Sequence, residues 1–240
     1  MVPVKIFPVS QTARAAPPRT RKRVDRRSRD AALLFLSSIQ YFLVQYLVAL
    51  DWPHPYSLTM NTISDLGNTT CATFHQRHVC SPLHAVMNVS LFVLGFTMVV
   101  GALLLRHDLD RTRTRSVGLL LLLFAGAGVS TVGFFPENTV ATVHAVGASL
   151  PFLLGNAGLV ALGVSLDATR AFRALTVSVG VVTLVALLLY SRGQYFDLGE
   201  GGMERVVAYP QTIWLIFYGG YLWRRSTRAA PTRRHDRACT

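Results

Sequence analysis

Six long apolar stretches constrain this chain more than any other feature of its sequence. Each has roughly 20 residues, the length that an α-helix needs to cross the hydrocarbon core of a bilayer. Charged residues are only 15% of the chain, against about 25% in an average soluble domain. The sequence therefore predicts an all-α, polytopic membrane protein that folds as a bundle of six transmembrane helices. The predicted spans are residues 31–50, 83–105, 117–135, 140–164, 174–190 and 206–223.

The distribution of Lys and Arg predicts the orientation of these helices. Of the 24 basic residues, 21 lie in the two tails and in the loops after the second and fourth spans. The other three, Arg77, Arg192 and Arg205, lie in the loops of the opposite side. Basic residues accumulate on the cytoplasmic side of a membrane. Both termini are therefore expected to be cytoplasmic in a multi-pass protein of the plasma membrane.

The net charge of +12 is explained by this topology and does not indicate a nucleic-acid partner. The basic tails, residues 1–30 and 224–240, contain Pro and few large apolar side chains, so they are predicted to be disordered. Their expected partners are the bilayer and, in particular, the anionic lipids of its inner leaflet.

The first outer loop contains the stretch "CATFHQRHVCSPLH", which is rich in cysteine and histidine. On the oxidising side of the membrane two thiols generally pair, so Cys71 and Cys80 are predicted to form a disulfide. The alternative is a tetrahedral zinc site that uses these two cysteines with His75 and His78. Its ligand spacing differs from that of the usual paired-ligand zinc motifs.

Two histidines begin similar stretches of sequence. "HAVMNVSLFVLGFTMVV" starts at His84 and "HAVGASLPFLLGNAGLV" starts at His144, with the His and one Gly in matching positions. We interpret this as a repeat of the second span in the fourth, which would place both histidines at equal depth near the outer face. Each could instead be an ordinary interfacial histidine, but ionisable groups inside a membrane usually indicate a function.

Carboxylates occur in every outer loop. Asp65 lies in "SDLG", Glu137 in "FPEN", and Asp197 and Glu204 in "FDLGEGGMER". A histidine follows shortly after two of these motifs, at the start of the next helix. The outer rim of the bundle is therefore expected to carry a polar pocket.

Four of these segments resemble a known family. "ISDLGN", "CSPLHAVMN", "GFFPENTVATVHAVGA" and "GGMERVVAYPQTIW" are similar to an uncharacterised family of bacterial and archaeal six-helix membrane proteins, domain of unknown function number nine-nine-eight. The resemblance covers roughly residues 31 to 224. It implies the six-helix fold and the importance of the rim residues, and it implies no activity.

Two classes of function fit these observations. The first is an enzyme, a hydrolase or transferase, that acts on a lipid or isoprenoid at the outer leaflet. The second is a non-catalytic carrier, lipid-binding sensor or membrane assembly partner. In the enzyme class His84 and His144 act as acid/base groups oriented by carboxylates, or they bind a metal such as zinc, which needs a third ligand. The candidate catalytic residues are Asp65, His84, Glu137 and His144, and the candidate substrate-binding residues are Asn88, Asp197, Glu204 and Arg205.

Energetic reasoning predicts where the rim groups lie. A lone charge at or below headgroup level costs on the order of 2–3 kcal/mol, and mutual pairing relieves that cost. Asp65, His84, Asn88, Glu137 and His144 are therefore predicted to converge in one pocket that opens to the outer face.

Overall fold

A computed structural model of the protein describes residues 26–74, 77–108 and 112–229. Eight α-helices account for most of these residues, and short 3-10 turns cover Ser64–Gly67 and Phe196–Leu198. The helices are α1 (Arg26–Leu36), α2 (Ile39–Leu50), α3 (His84–Asp108), α4 (Arg113–Phe134), α5 (Ala141–Ser149), α6 (Asn156–Ser165), α7 (Arg170–Ser191) and α8 (Gly199–Ala229).

The helices have the length and composition of membrane spans. Within the described residues, 5 helical stretches are long and apolar enough to cross a bilayer, at Arg26–Leu50, His84–Arg106, Arg113–Phe134, Ala141–Ser165 and Arg170–Ser191. They overlap the first five predicted spans, so the protein is a helical, multi-pass membrane protein. The sixth predicted span lies within α8, which is helical throughout but contains several charged residues. Six spans and their orientation stay predictions.

The outward faces of the helices are apolar. On α7, for example, Val182 is 60% exposed and Leu175 is 55% exposed. A soluble protein rarely presents such a continuous apolar face to its surroundings. These side chains are those that a bilayer would cover.

Two helices extend into the segments that the sequence predicts to be disordered tails. Helix α1 begins at Arg26 and α8 continues to Ala229, so the prediction of disorder is wrong for residues 26–30 and 224–229. The reason is tertiary contact: Arg29 stacks over the ring of Trp223, and Arg225 pairs at 2.8 Å with Asp167 in the loop between α6 and α7. The rest of both tails lies outside the described residues.

The first outer loop contains a small hairpin that the all-α prediction did not include. Strand β1 (Ala72–Phe74) pairs antiparallel with β2 (Arg77–Val79). Cys71 and Cys80 are joined at the open end of this hairpin, with their Cα atoms 4.1 Å apart. Because Ala72 lies opposite Val79, the strand register itself brings the two cysteines together.

The fourth span contains an irregular turn, whereas the second span, its predicted repeat partner, is a regular α-helix. Between α5 and α6 the residues Leu150–Gly155 form a π-helical turn, whereas α3 is a continuous α-helix. Pro151, which has no N–H to donate, lies inside that turn. The internal repeat stays a prediction.

Helices α3 and α4 approach each other closely through two glycines. A Cβ atom at Gly95 would collide with the carbonyl of Gly126, and one at Gly126 would lie 2.8 Å from the Cβ of Met98. Small residues allow such close approach within membranes. One end of the bundle carries the loops of residues 51–83, 135–140 and 192–198, and we call it the rim end.

Candidate functional site

The site is organised around a loop at the rim end, residues 56–68, which we call the rim loop. Two residues at the start of α8 bind it. The carboxylate of Glu204 accepts a hydrogen bond of 2.6 Å from the backbone N–H of Ile63. The guanidinium of Arg205 donates to the carbonyls of Leu58, at 3.1 Å, and Asn61, at 2.8 Å. These two adjacent charged residues therefore fix both halves of the loop to α8.

Asp65 is the charged residue of the rim loop, and 0% of its side chain is exposed. Its Oδ2 atom accepts hydrogen bonds from Asn61 Nδ2 at 3.0 Å, the Thr62 backbone N–H at 3.1 Å and Arg77 Nε at 3.2 Å. Arg77, on strand β2, also pairs with Glu200 of α8. The hairpin, the rim loop and α8 thus meet at one ion-pair network.

Glu137, from the loop between α4 and α5, joins Asp65. Its carboxyl group is hydrogen-bonded to Asp65 and accepts a bond of 3.2 Å from Asn68 Nδ2. Burial, and secondly the negative charge of Asp65, raises the pKa of Glu137 from 4.5 to about 8. At neutral pH Glu137 therefore holds a proton that it can donate to the Asp65 carboxylate.

His144 contacts the rim loop through Ser64. Its Nδ1 atom lies 2.8 Å from the carbonyl oxygen of Phe135, and its Nε2 atom lies 3.0 Å from Ser64 Oγ. A carbonyl can only accept, so in the neutral imidazole Nδ1 carries the proton and Nε2 is the acceptor. Ser64 Oγ–H therefore donates to His144, which is only 7% exposed.

A cavity of about 60 Å³ lies between the helices and is bordered by Ser64 of the rim loop. Five side chains of its lining are polar, those of Tyr41, Ser64, Glu204, Gln211 and Thr212. Its apolar lining comes from α3, α4, α5, the Leu150–Gly155 turn and α8, and includes Leu91, Leu94, Met98, Val129, Val132, Ala148, Pro151, Phe152 and Ala208. On α3 the lining runs from Leu91 to Met98, which is about 10 Å along the helix at about 1.5 Å per residue.

The sequence of this site assigns the protein to a family. A family model described as "Protein of unknown function (DUF998)" matches residues 35–221, which is well over half of the chain. The chain belongs to the DUF998 family. The resemblance seen in the rim motifs is thereby confirmed. A search of curated proteins found no match, and neither did a search of solved structures.

Most rim residues predicted from this DUF998 sequence contact consecutive positions of the rim loop. His144 contacts Ser64, Glu137 contacts Asp65 and Asn68, and Asn88 donates to the Gly67 carbonyl at 2.9 Å. His84 is connected to the rim loop through Ser81. Its Nδ1 atom lies 2.9 Å from the Ser81 carbonyl oxygen, and the Ser81 hydroxyl donates to the carbonyl of Leu66 in the rim loop.

The structure does not place His84 and His144 around a common ligand. Each histidine has its own backbone partner, at Ser81 and Phe135. Within residues 26–74, 77–108 and 112–229, no group of 3 or more His, Cys, Asp or Glu residues is placed to hold a metal ion. The zinc hypothesis gains no support here and stays a prediction, and the Cys/His alternative includes His75, which lies outside the described residues.

The predicted substrate-binding residues of this DUF998 chain divide into two groups. Glu204 and Arg205 are buried, at 5% and 8% exposure, and they bind the rim loop. Asn88 is half-buried behind that loop, and Asp197 is exposed on the short 3-10 turn before α8. Of these four side chains, only Glu204 lines the cavity.

Sequence reasoning missed Ser64 and Arg77. Ser64 precedes Asp65 in the motif "ISDLGN", but its partner is 80 residues away and no local pattern indicates that contact. Arg77 did carry a signal, because it is the only Lys or Arg of the first outer loop. A single arginine beside three loops that contain carboxylates is expected to pair with one of those carboxylates.

We expect Glu137 to make stability depend on pH. Its pKa is raised in the folded protein, so its contribution is fully present below about pH 4.5 and is lost as pH rises to about 8. For one titrating group, the free energy of unfolding changes by at most about 1.4 kcal/mol per pH unit. In detergent, the melting temperature of wild type should therefore rise on acidification from pH 8 to pH 5 more than that of Glu137→Gln, which keeps the shape without the titration.

The matched control for this experiment is Asp197→Asn, which removes a carboxylate that is exposed on another loop of the rim end. Its melting curve should follow wild type across the same pH range. Equal pH slopes for wild type and Glu137→Gln would show that the Asp65–Glu137 pair does not hold its proton in the folded state.

Proposed function

We propose that this protein handles a lipid or isoprenoid substrate whose chain enters the cavity while its polar group stays at the rim. The observation that supports this is the cavity itself, whose lining is mainly apolar and includes a few polar side chains, among them Ser64 and Glu204. Ligand sites are typically apolar clefts with a few convergent polar groups. A substrate with one long chain and one polar end matches that division.

The lining of the cavity favours an apolar chain over a headgroup. Ten of its fifteen lining residues are apolar, and those on α3 cover about 10 Å of helix. Such a lining suits an acyl or prenyl chain better than a charged headgroup. The helices bearing it are themselves apolar on their outer sides, so such a chain is available directly from the bilayer.

Photocrosslinking tests this proposal. The probe is a phospholipid with a diazirine in its acyl chain, added to protein in nanodiscs. Wild type should be labelled on peptides that line the cavity, and Ala208→Phe, which fills it, should lose most of that labelling. The control Ala145→Phe adds the same ring at an exposed position of α5 and should keep it.

Two outcomes would count against the proposal. Labelling confined to outward-facing residues such as Val182 would show that the chain stays outside the bundle. Equal labelling of the cavity peptides in wild type and Ala208→Phe would show that the cavity is not the binding site. This experiment gives the same result for an enzyme and for a non-catalytic carrier or sensor. Labelling of Ser64 by a reactive probe distinguishes these two classes.

We also propose that the bundle has six spans, with α8 as the sixth, and that both termini are cytoplasmic in the plasma membrane. The support is the uneven distribution of Lys and Arg, with 21 of 24 on one side. The rim end then faces outward, and the basic tails lie beside the anionic lipids of the inner leaflet.

Cysteine labelling of intact cells tests this orientation. In a Cys239→Ser background, an impermeant maleimide should label cysteines placed at Thr70 and Gln194, which are both exposed at the rim end. A cysteine at Thr112, at the opposite end, should react only after the membrane is permeabilised. Gly201 is unsuitable for a probe, because an added Cβ would collide with the Asn61 carbonyl. Labelling of Thr112→Cys in sealed cells would overturn the orientation.

With the rim end outside, we expect the Cys71–Cys80 disulfide to form in cells. On the chain-entropy model, closing a loop this short stabilises the fold by roughly 2–3 kcal/mol. Mass analysis after alkylation without reduction should find both residues protected, whereas Cys239 should be alkylated as an internal control. Alkylation of Cys71 and Cys80 to the same extent as Cys239 would contradict the prediction.

A further inference from the structure

We infer that Ser64 is a nucleophile and His144 its general base, and that the substrate is a lipid ester whose acyl group is transferred to Ser64. The inference rests on the proposed function, since it places the ester of that lipid beside Ser64 in the cavity. It adds a reaction, a substrate class and a catalytic residue that the rim motifs alone do not indicate.

The orientation of the imidazole is the first support. The Phe135 carbonyl, 2.8 Å from Nδ1, holds the ring in the tautomer whose Nε2 lone pair faces Ser64 Oγ, at 3.0 Å. A nucleophile within hydrogen-bond reach of a base that is itself oriented by a third group is the geometry of serine acyl transfer. Here a backbone carbonyl has the orienting role that a carboxylate has in the Ser-His-Asp triad.

The placement of Ser64 is the second support. A serine hydroxyl that only fills a buried hydrogen bond has no free path to a ligand. Ser64 is half-buried and lines the cavity, so a molecule in the cavity lies against this residue. Ala148, one helical turn after His144, lines the same cavity.

The backbone around Ser64 is held on both sides. The preceding residue, Ile63, donates its N–H to Glu204, and Thr62 donates its N–H to Asp65. Ser64 itself begins the 3-10 turn Ser64–Gly67. A nucleophile fixed by its supporting contacts is preorganised for attack, and this gives the buried carboxylates of the rim a positioning role.

The reaction has two balanced steps. Ser64 Oγ attacks the ester carbonyl carbon while its proton moves to His144 Nε2; the ester C–O bond then breaks, and the same proton passes from Nε2 to the leaving alkoxide. Water next attacks the acyl-serine, giving a proton to Nε2, and the C–Oγ bond breaks as that proton returns to Ser64. The products are a fatty acid and an alcohol, with no oxidation and no cofactor in the balance.

An activity-based probe tests this inference on the full chain in nanodiscs. A long-chain alkyl fluorophosphonate should phosphonylate Ser64, as located by peptide mass analysis. Ser64→Ala should lose all of this labelling. His144→Ala and His144→Gln should slow it by at least about 100-fold, the usual lower limit for loss of a general base.

Controls keep the outcomes distinct. Ser191→Ala and His54→Ala, which change exposed residues outside the site, should label at the wild-type rate, and Ser64→Ala should still crosslink the diazirine lipid. If wild type crosslinks the lipid but Ser64 is unlabelled, or is labelled equally in His144→Gln, then Ser64 is not a nucleophile and the protein is a lipid-binding carrier or sensor. If wild type fails to crosslink the lipid in the cavity, the proposed function itself is overturned.

Discussion

Asp65→Ala is expected to destabilise the protein by about 3–5 kcal/mol, the usual result of removing one partner from a buried ion pair. The carboxylate is fully buried, and Arg77 beside it is only 9% exposed. Its loss leaves the guanidinium with Glu200 alone and leaves three further donors without their acceptor: Asn61 Nδ2, the Thr62 N–H and the carboxyl group of Glu137. Thermal unfolding in detergent should show the change as a large drop in the melting temperature.

Two variants separate the charge of Asp65 from its shape. Asp65→Asn keeps the volume and one acceptor oxygen, so we expect roughly half of the loss. Asp65→Ala combined with Arg77→Ala should cost less than the sum of the single changes, because the double variant leaves neither charge of the pair behind. The control Asp197→Ala, at an exposed position, should lie within about 0.5 kcal/mol of wild type. A loss below about 1 kcal/mol for Asp65→Ala, well under the range for a broken buried pair, would show that the network is not structural.

The transmembrane fold was predictable because its signal is local. A run of about 20 apolar residues is sufficient to predict a membrane helix, and helices cover each of the six predicted runs. The sixth run, residues 206–223, is less apolar because it contains Gln211 and Thr212, both of them buried, and several tyrosines. The ends of α1 and α8 were missed, since the contacts that extend them join residues far apart in the chain.

The candidate site was predictable only in part. Asp65, Glu137 and His144 were predicted as rim residues because charged groups at a membrane surface need partners. That rule names residues, but it does not say which of them pair. The pairs depend on the path of the rim loop, which a hairpin and α8 hold in place. Ser64 has no charge and serine is common in loops, so only the structure reveals its contact with His144.

Arg205 is expected to be as important as Asp65, for a different reason. Its guanidinium donates to the carbonyls of Leu58, Asn61 and Gly201 and to the hydroxyl groups of Tyr56 and Tyr209. Arg205→Ala leaves several buried acceptors without donors, at about 1–3 kcal/mol each, so a total of about 4 kcal/mol is expected. Arg205→Lys keeps the charge but not the planar fork, and we expect it to recover less than half of that loss.

The same two variants discriminate between the structural role of Arg205 and headgroup binding. If Arg205 mainly anchors the rim loop, both variants lower the melting temperature and also slow fluorophosphonate labelling of Ser64, since the loop that carries Ser64 is released. Arg192→Ala, an exposed arginine at the end of α7, should change neither. If Arg205 instead binds an anionic headgroup, Arg205→Lys should melt like wild type while crosslinking of anionic lipid falls and that of zwitterionic lipid does not. A wild-type melting temperature in Arg205→Lys would therefore contradict the anchoring role, because lysine has one nitrogen and cannot replace the separate nitrogens that bond the hydroxyl groups of Tyr56 and Tyr209.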